Sequence, residues 1–150
     1  MTAIAWTLRA ATAGDRDFIV EVNRAAMGPY LEATFGWDEA ALRAYFHERF
    51  DASGGQVIQV DGVDVGELLV EERPDELFLV RLALLPDWQG RGIGSALVRM
   101  LIDRARELES ALVLQVFKTN IRAAQLYESL GFVRTDESET DAFMRLEPKL

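Results

Sequence analysis

The sequence predicts an α/β protein in which helices pack on a mixed sheet. Apolar residues switch repeatedly between the every-second spacing of strands and the three-to-four spacing of helices. Asp61-Gly62 stands between two alternating apolar runs, the signal of a two-residue hairpin turn. Gln89 to Ser95 is a glycine-bare loop that joins an apolar run to an amphipathic one. The chain has 150 residues, 49% of them apolar, enough for a sizeable core in one domain. No Pro/Gly/Ser-rich linker, low-complexity tract or internal repeat interrupts it, so residues 1–150 read as a single domain.

Trp6 to Ala11 alternates like a first strand. Thr12 and Asp15 offer capping oxygens for a helix through Phe18, Ile19, Val22 and Ala26, which Gly28-Pro29 is expected to break. Asp38 can cap a second helix, with Ala41, Leu42, Tyr45, Phe46 and Phe50 on its apolar side, and Gly54-Gly55 closes that region. A hairpin follows, from Gln56 to Val60 and from Val63 to Glu71, around Asp61-Gly62. Arg73-Pro74-Asp75 turns the chain again. Leu77 to Leu85 is nearly all apolar, which suits a central strand covered on both faces. After the glycine loop, Ile93, Leu97, Val98, Leu101, Ile102, Ala105 and Leu108 keep helical spacing. Ala111 to Phe117 reads as a fifth strand and Ile121 to Leu130 as a helix, with Gly131 placed for a left-handed C-terminal cap. Phe132 to Arg134 and Ala142 to Leu146 read as two short strands around a polar loop. The order is β-α-α-β-β-β-α-β-α-β-β.

Composition removes several kinds of chemistry. With no cysteine there are no disulfides, thiol nucleophiles or thiolate metal sites, and the single histidine, His47, cannot build a histidine-rich one. No ligand-loop spacing suggests a carboxylate site for Mg²⁺ or Ca²⁺, so no metal is expected. The net charge is −9 and the only lysines are Lys118 and Lys149, a balance that disfavours nucleic acid. The start, MTAIAWTLRAATAGD, lacks a cationic segment followed by a long apolar one, and no apolar run approaches ~20 residues. No membrane association is expected, and the protein reads as soluble and cytoplasmic.

Gly90, Gly92 and Gly94 precede a helix, whose first backbone N–H groups lack partners and attract anions. Glycine lets a backbone approach a phosphate without Cβ interference, and Arg91 can add a charge-assisted contact. A Walker loop would need Gly-Lys-Ser/Thr, which is absent. A dinucleotide fingerprint would need glycine where Ser95 or Leu97 stands, and would follow the first strand rather than the fourth. A turn that merely packs a helix close to a sheet fits the loop as well.

Gln89-Gly90-Arg91-Gly92-Ile93-Gly94 resembles the Gln/Arg-x-x-Gly-x-Gly/Ala signature of the GCN5-related N-acetyltransferase (GNAT) family. Leu82-Ala83-Leu84-Leu85-Pro86 resembles that family's fourth strand and its exit. Asn120, Ala123, Ala124, Leu126, Tyr127, Gly131 and Phe132 are similar to its second motif, at the usual separation. The resemblance implies a mostly antiparallel mixed sheet with splayed fourth and fifth strands, and acetyl-CoA as the acyl donor. It implies that the amides of Gly90, Arg91, Gly92, Ile93, Gly94 and Ser95, with Gln89, seat the pyrophosphate. The pantetheine arm would run beside Leu82, Ala83 and Leu84 as an added strand does. Asn120 would bond to the pantetheine or stabilise the exit of the fifth strand.

The implied reaction passes an acetyl group to a primary amine of a small molecule or peptide by direct attack in a ternary complex. The amine, of pKa about 10, must lose a proton, the carbonyl oxygen needs donors, and the leaving thiolate needs a proton or dipole. Tyr127 stands at the family's acid position, and it would also line the cofactor seat. Ala123, Ala124 and Leu130 share its helical face, so spacing alone fits a core tyrosine too. A backbone N–H near Leu84 resembles the family's oxyanion donor. Glu32, Glu67, Glu71 and Glu76 are candidate bases. Glu32 is preferred because a carboxylate among Tyr30, Phe35 and Trp37, between the first two helices, would be partly desolvated. The bland alternative for Glu32 is a solvated loop carboxylate. His47 reads as surface or half-buried, Asp136 to Asp141 as a solvated turn, and Trp88 as a cap on the glycine loop or a stacking surface for the cofactor. Arg81, Glu67 and the stretch from Tyr30 to Trp37 would shape the acceptor site. A homodimer is compatible with the sequence, and a non-catalytic acyl-CoA sensor on the same fold is the alternative reading.

Overall fold

The computed structural model describes residues 4–49 and 55–148. In chain order it contains β1 (Thr7–Ala10), α1 (Arg16–Phe35), α2 (Glu39–Arg49), β2 (Gly55–Val60), β3 (Val63–Glu72), β4 (Glu76–Leu84), α3 (Ile93–Glu107), β5 (Ala111–Phe117), α4 (Ile121–Ser129), β6 (Val133–Glu137) and β7 (Asp141–Leu146). This is the order expected from periodicity. The seven strands are arranged β1-β2-β3-β4-β5-β7-β6. β1–β2, β2–β3, β5–β7 and β6–β7 are antiparallel, whereas β4–β5 is parallel. A parallel pair needs a crossover, and α3 supplies it. The chain forms two compact units: one comprises the chain up to Leu69 with Arg81–Gly94, the other Val70–Val80 with the chain from Ser95 on.

In the first unit, α1 does not stop at Gly28-Pro29 but runs on to Phe35. Proline forfeits one helical hydrogen bond, a cost of about 3 kcal/mol in an isolated helix. Packing offsets it: α1 lies against α2, Gly28 is buried with its missing Cβ 3.7 Å from Leu42 Cδ1, and Leu31 is buried just beyond the proline. Gly36, at φ +71°, ends the helix in the left-handed region. At the other end, the Arg9 guanidinium donates to both Asp15 carboxylate oxygens (2.8 and 2.9 Å), and the Thr12 amide donates to Asp15 Oδ2 (2.8 Å). These bonds hold the Asp15 carboxyl well below the usual carboxylate range, the Arg9 bond acting most strongly. Asp38 caps α2 as expected, accepting from the Ala41 amide at 2.9 Å. Phe50 and Gly54 lie outside the described residues.

Asp61 and Gly62 take φ of +51° and +78°, the geometry that a two-residue hairpin turn requires. Register slips where Ile58 faces Gly66 and Gln59 faces Asp64, so Val65 is the extra residue of a β-bulge. Next to the bulge, a Cβ on Gly66 would lie 2.3 Å from the Ala83 carbonyl oxygen and 2.8 Å from Leu84 Cδ2. Only glycine fits this close approach, which the sequence reading did not anticipate.

In the second unit, β4 pairs with β5 from Glu76↔Ala111 to Leu79↔Leu114, where the ladder ends. Both strands continue, β4 to Leu84 and β5 to Phe117. The expected parting of the fourth and fifth strands is therefore present in the pairing. The expectation that β4 is covered on both faces fails at Val80, which is 37% exposed just past the last paired residue. The α3 stripe is buried at Ile93, Leu97, Val98, Leu101, Ile102 and Ala105. Leu108 departs from it: the helix ends at Glu107 and Leu108 is exposed in the following turn. Gly131 adopts φ +103° after α4, which packs on β5. β6 runs on to Glu137, so Asp136 and Glu137 are strand residues and the polar turn is shorter than expected. Glu137 faces Lys118 at 3.6 Å.

Gly66→Ala should lower stability by at least about 1–3 kcal/mol, because Ala83 and Leu84 must shift. Urea melts of the two proteins will measure it. A melt unchanged from that of the parent would mean the close approach is not rigid.

Candidate active site

β4 leaves the sheet through a 3-10 turn at Pro86–Trp88, held by the Trp88 amide donating to the Leu85 carbonyl at 2.9 Å. The chain then passes Gly90 at φ +73° and Gly92 at φ +86°. Both values favour glycine, and at Gly92 the reason is conformational alone, since a Cβ there would meet nothing within 4 Å. Gly94 differs: it has no positive φ, and its missing Cβ lies 4.0 Å from Leu84 Cδ1. α3 begins at Ile93, whose side chain is buried and fixes the helix start. The amides of Ile93, Gly94 and Ser95 fall in the first turn, where no intrahelical acceptor exists. First-turn amides of this kind attract anions, and here bare backbone leads up to them. Arg91 is exposed, and its guanidinium lies 4.8 Å from the centre of the Trp88 ring. Trp88 thus carries the loop's cation.

Leu82, Ala83 and Leu84 form the end of β4. The Leu85 amide donates to the Val65 carbonyl at 2.9 Å, so it points toward β3. Strand backbone alternates, so the Leu84 amide and carbonyl point to the opposite edge. The Leu84 carbonyl there accepts from Gln89 Nε2 at 2.9 Å. The Leu84 amide lies past the end of the β4–β5 ladder. An edge of this kind accepts an extended ligand as a strand would.

On the β3 and β4 backbone, Glu67 and Arg81 form a buried ion pair. Arg81 Nε and Nη2 donate to the two Glu67 oxygens at 2.9 and 2.8 Å. Asn23 of α1 donates from Nδ2 to Glu67 Oε1 at 2.7 Å and to the Ile19 carbonyl at 2.9 Å. Arg81 Nη1 also donates to the Arg49 carbonyl at the end of α2 (3.3 Å). Glu67 is 0% exposed. A general base needs a lone pair facing its substrate, whereas the Glu67 oxygens are committed to Arg81 and Asn23. Sequence reasoning missed Asn23, although it interrupts the apolar stripe of Ile19, Val22 and Ala26. The pairing also had a signal: Glu67 and Arg81 are lone opposite charges within apolar runs, each seven residues from Pro74.

Glu32 requires a correction. Because α1 continues past Pro29, Glu32 sits on a helix rather than in a loop, and it is exposed. The desolvated surroundings that recommended it as a base are absent. Phe35 and Trp37 do stack, with centroids 4.9 Å apart, but Trp37 turns to Tyr45 of α2 at 5.2 Å. His47 is exposed, as expected. Glu71 is exposed near Arg73 (3.2 Å), and Glu76 lies 3.4 Å from Arg73 and 3.7 Å from Arg145. Among the described residues no group of His, Asp and Glu side chains is arranged to hold a metal ion.

In the second unit, Asn120 is buried and caps α4, its Oδ1 accepting from the Ala123 amide at 3.2 Å. The Asn120 amide donates to the Phe117 carbonyl at 2.8 Å, tying the β5 exit to the helix start. Tyr127 is half-buried, its ring edge-on to Phe132 at 5.6 Å. Desolvation pushes its phenol up to about 12, so at neutral pH it holds its proton.

The strand order, with α3 crossing between a parallel pair whose ladder stops at Leu79, is the mixed α/β architecture the sequence predicts. The acetyltransferase (GNAT) family model matches residues 19–132, and the chain belongs to that family. It is 32% identical over 120 residues to the N-acetylaspartate synthetase of Danio rerio, a match covering 78% of this chain and 42% of that protein. It is 46% identical over 59 residues to the [ribosomal protein bS18]-alanine N-acetyltransferase of Escherichia coli K12, covering 39% of this chain and 40% of that protein. The chain thus spans less than half the length of these curated relatives. The fold superposes on the PaiA N-acetyltransferase of Thermoplasma acidophilum, solved with coenzyme A, with a TM-score of 0.78. Sequence identity there is 17%, over 96% of this chain and 99% of that one. No helix among the described residues is long and apolar enough to cross a membrane.

Arg81→Met should cost about 3–5 kcal/mol by stranding the buried Glu67 carboxylate, and adding Glu67→Gln should recover much of the loss. Chemical denaturation of the two variants measures both effects. In a spectroscopic titration, the phenolate signal at pH 10.5 should be nearly the same for the parent and Tyr127→Phe, because a group raised to about 12 stays protonated there. A clear drop in that signal on substitution would show that Tyr127 ionises normally.

Proposed function

We propose that the protein transfers an acetyl group from acetyl-CoA to a primary amine of a small molecule or peptide. The observation that carries this reading is the α3 start. Positive-φ Gly90 and Gly92 lead into unpartnered first-turn amides beside a strand edge freed of its neighbour. Those residues fit a diphosphate followed by an extended amide-bearing arm. Bound coenzyme supplies a thioester acyl group. The amides of Gly90, Arg91, Gly92, Ile93, Gly94 and Ser95 hold the diphosphate, with Arg91 adding charge. The edge of Leu82, Ala83 and Leu84 would align the arm, and the Leu84 amide would donate to the thioester oxygen as charge develops there. Tyr127, protonated at neutral pH, would serve as the donor to the departing sulfur, the role its place in the family's second motif implies. Asn120 supports this by capping the helix that carries Tyr127.

With Glu32 exposed and Glu67 clamped, the acceptor ammonium loses its proton to solvent. The names of the two curated relatives both describe acylation of an amino group, on aspartate in one case and on a protein's alanine in the other. They support an amine acceptor for this chain without choosing between a small molecule and a peptide.

Calorimetry with CoA, followed by thiol release from acetyl-CoA over a panel of amines, tests the proposal. Uptake and amine-dependent release are expected, and the rate should rise with pH up to the acceptor's own pKa. Tyr127→Phe should lower turnover by about 10² or more with little change in acetyl-CoA affinity. CoA uptake without release for any amine would favour a sensor, and no uptake would end the reading.

A further inference from the structure

We propose that Gln89 is a positioning residue: its side chain clamps the Leu84–Leu85 peptide and so fixes the direction of the Leu84 amide. This rests on the acetyl-transfer reading above and links the diphosphate seat to the thioester seat. Both polar groups of the Leu84–Leu85 peptide are held, from opposite sides. Its N–H donates to the Val65 carbonyl of β3 at 2.9 Å, and its C=O accepts from Gln89 Nε2 at 2.9 Å. A peptide unit is planar, so two opposed bonds fix its rotation. The preceding peptide is packed closely as well, because the Ala83 oxygen lies 2.3 Å from where a Cβ on Gly66 would stand. Within Ala83–Leu85 the Leu84 N–H is left turned to the unpaired edge.

Gln89 adjoins Gly90, and its own amide donates to the Pro86 carbonyl at 3.2 Å. Its backbone therefore belongs to the glycine loop while its carboxamide belongs to β4. The residue itself is exposed, so the bond to Leu84 competes with water and is kept by geometry rather than burial. Loss of the side chain would leave the Leu84 carbonyl to solvent and free the peptide to rotate. In this arrangement the signature glutamine aims an amide instead of gripping the cofactor.

Gln89→Met keeps the length and removes the donor. The expected result is a turnover lowered about tenfold, with acetyl-CoA affinity by calorimetry changed less than about twofold. Amide exchange at Leu85, measured by NMR without cofactor, should quicken roughly five- to tenfold. Gln89→Arg, which restores a donor, should recover most of both. A Met variant that weakens acetyl-CoA binding as much as it lowers turnover would overturn the proposal and make Gln89 a cofactor contact. Parental exchange and parental turnover in that variant would also overturn it. Absence of acetyl-CoA uptake by the parent would instead sink the acetyl-transfer reading, and exchange at Leu85 would still report on the clamp.

Discussion

The unsatisfied backbone of β4 is the constraint on which the rest depends. A strand in mid-sheet normally spends its N–H and C=O groups on both neighbours. β4 does so only as far as Leu79, where its ladder with β5 ends. Beyond that point each group needs another fate. The Leu84 carbonyl takes a side-chain donor from the next loop, and the Leu85 amide stays with β3. The Leu84 amide faces the opposite edge. The glycine loop and the helix start extend the same logic, because first-turn amides also lack internal partners.

The same region shows why a charged pair lies inside an apolar sheet. Glu67 and Arg81 satisfy one another with two bonds, and Asn23 takes part of the remaining capacity of Glu67. Burying such a pair is a poor source of stability compared with apolar packing, while breaking it is expensive. Its bonds reach α1, β3, β4 and the last carbonyl of α2, and so tie those four elements together.

Most elements were legible because their signals are local. Alternation gave the strands, Asp61-Gly62 gave its hairpin through the need for positive φ, and Asp38 gave a cap through its oxygen. Pro29 was misread because its cost is local while the compensation, packing of Gly28 against Leu42 and burial of Leu31, is tertiary. Glu32 then followed Pro29 into error, since a loop and a helix expose that carboxylate differently. Gly66 was invisible for a related reason: nothing nearby in sequence signals that the Ala83 carbonyl presses on it. The glycine loop and the helix after it were recognisable from spacing, but the bond from Gln89 to the strand behind it needed coordinates.

The cationic side chains have a consequence of their own. Among the described residues, ion pairs are made by arginine, with Lys118–Glu137 the exception. A guanidinium stays protonated throughout the physiological range and is a poor nucleophile, whereas a lysine ammonium supplies some free amine. A surface whose ion pairs are built on guanidinium groups therefore offers an electrophile little to modify.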